Sequence, residues 1–147
     1  MAGRRIAMAA SAAAAILCLL SSDPAWSVGS VAIGLPSDVA EGGIAIGVAY
    51  NYGAQGDADA EALKQCLSYM DAPDSTRALC KVTLKFTNQC FAVAMDPEPG
   101  TYGIGYRVAH SQAEADTRAM DDCLQSSYAD RKEFCKVTYR ICDGTAS

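Results

Sequence analysis

Short apolar runs recur in the same order in the two halves of this chain. Val31-Ala32-Ile33-Gly34 corresponds to Phe91-Ala92-Val93-Ala94, and Ile44-Ala45-Ile46-Gly47 to Tyr102-Gly103-Ile104-Gly105. The segment Cys80-Lys81-Val82-Thr83-Leu84-Lys85-Phe86 returns as Cys135-Lys136-Val137-Thr138-Tyr139-Arg140-Ile141. Strict alternation places Val82, Leu84 and Phe86 on one strand face with Cys80, and Val137, Tyr139 and Ile141 on one face with Cys135. Between these runs, Ala62, Leu63, Cys66, Leu67 and Met70 recur at helical spacing, as do Ala115, Ala119, Met120, Cys123 and Leu124. Ser111-Gln112-Ala113-Glu114 is a capping box, and Asp57 is the matching cap expected for the first helix after the Gly53–Gly56 turn. Each half therefore reads strand–strand–helix–strand. The expected class is α+β: two pseudo-symmetric repeats, about 28–88 and 89–147, forming an antiparallel sheet or roll of about six strands with two helices.

The first 27 residues read differently. Arg4 and Arg5 precede an uncharged apolar run from Ile6 to Leu20, and a polar stretch follows with small residues at Ala25 and Ser27. This is the layout of an export signal, with cleavage expected after Ser27 or, alternatively, after Ala25. The apolar run falls short of the roughly 20 residues that span a bilayer. Residues 28–147 are then expected to form a single domain without a membrane segment. Losing residues 1–27 lowers Lys plus Arg from 12 to 10 and Asp plus Glu from 17 to 16, for a net charge of about −6. Such acidity disfavours nucleic acid as a partner, because binding it would release no counterions.

Cys18 is lost with the leader. The six cysteines left are Cys66, Cys80, Cys90, Cys123, Cys135 and Cys142. An even count in an exported chain of this size predicts three disulfides. Zinc is disfavoured by the absence of a C-x-x-C pair and by a single histidine, His110. Cys135 and Cys142 flank one strand, about 23 Å apart and on opposite faces by simple alternation, so they cannot pair. The repeat then suggests Cys66–Cys80 and Cys123–Cys135, leaving Cys90–Cys142.

This order of segments resembles the bacterial domain-of-unknown-function 4189 family. The matching pieces are Gly29 to Gly34, Gly43 to Gly47, Ala58 to Cys66, Cys80 to Phe86, Cys90 to Ala94, Tyr102 to Gly105, Ala115 to Cys123 and Cys135 to Cys142. Tryptophans common in the family's glycine strands are replaced here by Ile46 and Ile104. The resemblance implies an exported, disulfide-containing domain and supplies no catalytic residues.

Candidate chemistry is sparse. His110 adjoins a cap serine, and no cysteine is spare as a nucleophile. Asp57, Asp59 and Glu61 fit the dipole of a first helical turn better than a cation loop, and Asp121-Asp122 reads as a solvated helix face. No catalytic, metal or cofactor site is therefore assigned. The glycine strands put Ile44, Ile46, Val48, Tyr50, Tyr102, Ile104, Tyr106 and Val108 on one face, and Gly or Ala on the other. Either the Ala-rich helices cover the small face, or it forms a trough rimmed by Tyr50, Tyr52, Tyr102 and Tyr106, an interaction surface for a peptide or glycan. The functional expectation is a secreted or periplasmic non-enzymatic binding module for a protein or envelope component. The alternatives are a carboxylate-dependent hydrolase of envelope polymers and an inhibitor or immunity-type protein.

Overall fold

The computed structural model describes residues 27–147. The expected export signal, apart from Ser27, lies outside the described residues. In the first half, β1 (Val28–Gly34), β2 (Ala45–Tyr52) and β3 (Lys81–Thr87) form an antiparallel sheet ordered β2-β1-β3. In the second, β4 (Cys90–Met95), β5 (Ile104–Ala109) and β6 (Lys136–Cys142) form an antiparallel sheet ordered β5-β4-β6. The main helix of each half, α2 (Gln55–Leu67) or α4 (Gln112–Ser126), follows the second strand. Two single-turn helices, α1 (Val39–Gly42) and α3 (Asp74–Arg77), and a 3₁₀ turn (Lys132–Phe134) complete the described elements. The α+β reading holds, and the six strands divide into two sheets with the same strand order.

The alternation of large and small side chains dictates the layering. Val31, Ile33, Val48 and Phe86 of the first sheet bury against Phe91 and Val93 of the second. Phe86 and Phe91 lie nearly parallel, with ring centroids 6.4 Å apart. The opposite faces carry Ala32, Ala45 and Ala49, or Ala92, Ala94 and Ala109, and these meet the alanines of α2 and α4. The order is helix, sheet, sheet, helix. Close approach is a requirement at two glycines: a Cβ on Gly47 would land on the Ala62 carbonyl, and one on Gly105 on the Ala119 carbonyl. The helices thus cover the small-residue face.

Three local expectations are corrected. First, α2 starts at Gln55 with Ala54 as its N-cap and no capping side chain, so Asp57 sits inside the first turn rather than at its start. On α4 the Ser111 half of the expected capping box is present, its hydroxyl accepting from Glu114 N at 3.3 Å, while the Glu114 carboxylate pairs with Arg118. Second, α2 stops at Leu67, where Ser68 N–H closes back on Lys64 O at 3.1 Å, so Met70 lies beyond the helix and is 81% exposed. Third, alternation breaks within the repeated Cys-Lys-Val-Thr segment. Val31 pairs with Leu84 while Ala32 pairs with Val82, and Val93 pairs with Tyr139 while Ala94 pairs with Val137. Thr83 and Thr138 are therefore bulged out of the count. The bulge puts Val82 opposite Ala32, on the helix side, and leaves Leu84 and Phe86 between the sheets.

The same bulge reverses one premise about the cysteines. Cys135 and Cys142 both pack against the core under α4, so distance along the strand, not opposite faces, keeps them apart. The three bridges are Cys66–Cys80, Cys123–Cys135 and Cys90–Cys142. The first two tie the end of a helix to the strand that follows. Cys90 and Cys142 are direct cross-strand partners on β4 and β6.

Candidate interaction cleft

The edge strand β2 does not lie flush against the second sheet. Between them opens a cleft of about 560 Å³. Its floor is Ile46 and Val48 from β2 with Val93 and Met95 from β4, and its walls are Tyr139 from β6 and Tyr69 and Met70 from the segment after α2. Gln65, Ser68 and Thr138 add a few polar atoms. The edge is not bare, because Gln65 Oε1 accepts the Val48 N–H at 3.2 Å. That bond occupies a donor through which a further strand could have paired.

The aromatic side chains here are firmly seated. Tyr139 leans on the fully buried Phe91 ring, with centroids 6.4 Å apart. Burial first, and Tyr50 second, raise the Tyr139 hydroxyl above the ordinary phenol value. Tyr69 is raised as well, by burial and then by Asp71. Tyr50 (41% exposed) lies near Tyr139 (40%), and Met70 adds a further exposed apolar side chain at the cleft.

A second groove lies at the corresponding place of the other half, lined by Tyr102, Ile104, Tyr106 and Gln125 with Leu35 and Val39. Where the first cleft has Gln65, this one has Asp122, which holds Arg107 at 2.9 Å. Tyr106 takes the position of Val48. Tyr102 packs edge-on against Tyr128 with centroids 5.2 Å apart, and Asp38 beside its hydroxyl raises it to about 12.

The four tyrosines singled out by sequence are therefore separated. Tyr50 neighbours Tyr139, Tyr102 and Tyr106 share the second groove, and Tyr52 packs on the helix side of the first sheet. Met70, Tyr69 and Tyr139 were missed. The signal for Tyr139 was present, since it stands at Leu84's place in the repeated segment.

The acidic candidates are engaged in local pairs. Asp59 accepts from Lys85 at 2.7 Å, from Gln55 at 2.9 Å and from the buried Ser30 hydroxyl. Lys85 first, then Ser30, lowers its carboxyl to about 2. Glu61 pairs with Lys64 and Gln65, while Asp57 is exposed. Asp122 is not merely solvated, because it bridges α4 to β5 through Arg107; Asp121 and His110 are exposed. A further cleft of about 410 Å³ is lined by Glu41, Asp71, Asp96 and Glu98, but Arg131 holds Asp96 in two hydrogen bonds of 2.8 Å and Glu98 at 2.7 Å.

The family model described as Domain of unknown function (DUF4189) matches residues 29–142. No curated protein matches the chain, and no solved structure does.

Proposed function

The chain belongs to the DUF4189 family, a domain of unknown function, and on that footing we propose that it is an exported, non-enzymatic binding module whose contact site is the cleft between β2 and β6. Its partner is a protein presenting aliphatic or aromatic side chains, in a periplasmic or extracellular setting. Three disulfides belong to the chemistry of an oxidising compartment. One observation carries the reading: an apolar cleft with a few polar atoms, walled by exposed Met70 and half-exposed Tyr139, on a floor that belongs to the core itself. Rigid aromatic and methionine side chains around a desolvated floor are the composition of contact sites. The cleft also differs from its counterpart, where an ion pair and Tyr106 line the wall.

The test is recovery of partners from the native exported fraction with the oxidised protein as bait. Met70→Asp places a carboxylate on the exposed wall of the cleft, and Gln125→Asp places one in the other groove. Loss of a captured protein with the first variant and retention with the second support the reading. Equal capture by all three baits refutes it.

A further inference from the structure

Asp143, just after β6, is fully buried, and its carboxylate meets neutral donors alone among the described residues. Oδ1 accepts from Asn51 N at 2.6 Å and from the Ser27 hydroxyl at 2.6 Å, and Oδ2 accepts from Asn88 N at 3.2 Å. These neutral donors satisfy the carboxylate oxygens but leave its charge without a counter-charge. Ser27 Oγ also lies 3.1 Å from Asn51 Oδ1, a second acceptor, which receives Gly144 N at 2.8 Å as well. A hydroxyl has one hydrogen and can donate to one acceptor at a time. Two acceptors thus converge on a spot where one proton is available. An ammonium, with three donors and a positive charge, matches that spot; a serine hydroxyl does not.

The next residue supplies one. We infer that the site around Asp143 and Asn51 is the receptor for the α-ammonium of Val28, created when an export peptidase hydrolyses the Ser27–Val28 bond. Water adds to the Ser27 carbonyl, the C–N bond breaks, the carboxylate departs with residues 1–27, and the freed amine takes up protons to become an ammonium. The new terminus begins β1 and replaces the departed Ser27 hydroxyl between Asp143 Oδ1 and Asn51 Oδ1. Removal of the leader would then complete the fold by supplying the counter-charge of a buried carboxylate. Asn51 and Asn88, with φ of 61° and 48°, hold the left-handed conformations that aim their amides at Asp143. The charged or titratable group facing the incoming amine is Asp143 itself; the other neighbours, Asn51, Asn88 and Gly144, are neutral.

This inference rests on the export part of the proposed function, and the first measurement separates the two. The intact mass of the exported protein should place its first residue at Val28. A first residue at Trp26 or elsewhere overturns the inference and leaves export standing, whereas an unprocessed chain overturns both. In the processed protein the amine, followed by ¹⁵N NMR, should titrate at about 9 or above instead of the ordinary 7.7–8.0. Asp143→Asn should return it to the ordinary range. If that variant fails to fold, comparison of the Val28-first chain with the same chain acetylated at Val28 decides instead. The free amine should give the higher Tm, with the advantage present below pH 8 and lost as pH rises through the raised value. An ordinary titration, or equal Tm values across that range, overturns the inference.

Discussion

Tyr139 rests its ring on the buried ring of Phe91 while 40% of its own surface stays open above the cleft. One side chain therefore belongs to both the core and the surface. Tyr139→Ala should cost about 1–2 kcal/mol of stability and also lose partner capture. Met70 is 81% exposed, so Met70→Ser should lose capture while shifting stability by no more than about 0.5 kcal/mol. Urea titrations of both variants beside capture assays check the pair.

The disulfides should contribute unequally. The bridges Cys66–Cys80 and Cys123–Cys135 close short segments of 14 and 12 residues, worth about 3 kcal/mol each, while Cys90–Cys142 spans 52 residues and should contribute about 4 kcal/mol. Replacing Cys90 and Cys142 together by Ala is predicted to lower the denaturation midpoint more than the same replacement of Cys66 and Cys80. Equal midpoints would contradict this ordering.

Arg131 neutralises the fully buried Asp96 carboxylate through two hydrogen bonds and lies 4.2 Å from the Phe134 ring centroid. Asp96 and Glu98 raise its guanidinium above the ordinary value. Arg131→Ala leaves the buried Asp96 carboxylate without its counter-charge and should lower the urea midpoint. Adding Asp96→Asn to that variant should recover part of the loss, so the two changes should be non-additive in a double-mutant cycle.

Asp59 sets an acid limit. Its carboxyl is lowered to about 2 by Lys85 and Ser30, below the ordinary 3.8. A depressed carboxyl contributes stability fully above its unfolded value, and that contribution is lost as pH falls through the folded value. The contribution is on the order of 1 kcal/mol after solvent screening, and it should disappear between about pH 4 and pH 2. Lys85→Met should flatten the dependence of stability on pH in that window, as measured by urea unfolding at each pH.

The sequence of strands and helices along the chain and the two main helices were legible because the repeated segments carry period-two and helical spacing directly, and the bridges followed from the repeat; the division into two sheets, with the first strand central in each, was not. The bulges at Thr83 and Thr138 were not, since a bulge adds one residue without changing the local composition. A clue existed in the cysteines: Cys80 and Cys135 must reach the helix side, whereas Phe86 and Ile141 belong between the sheets, and a strict alternation cannot do both. Met70 continued the apolar spacing of α2 past the point where the helix ends, so its exposure was hidden. Asp143 gave no local sign at all. Its donors come from Asn51 and Asn88, distant in sequence, and only the folded chain brings them together.

The contact site proposed for this protein is the cleft walled by Met70 and Tyr139. A photo-crosslinking residue placed at position 70 in the exported protein, and separately at position 125 in the other groove, tests it in the native compartment. A discrete adduct is expected from position 70, abolished by Tyr139→Ala, and none from position 125. Adducts of the same protein from both positions, or none from position 70, would contradict it.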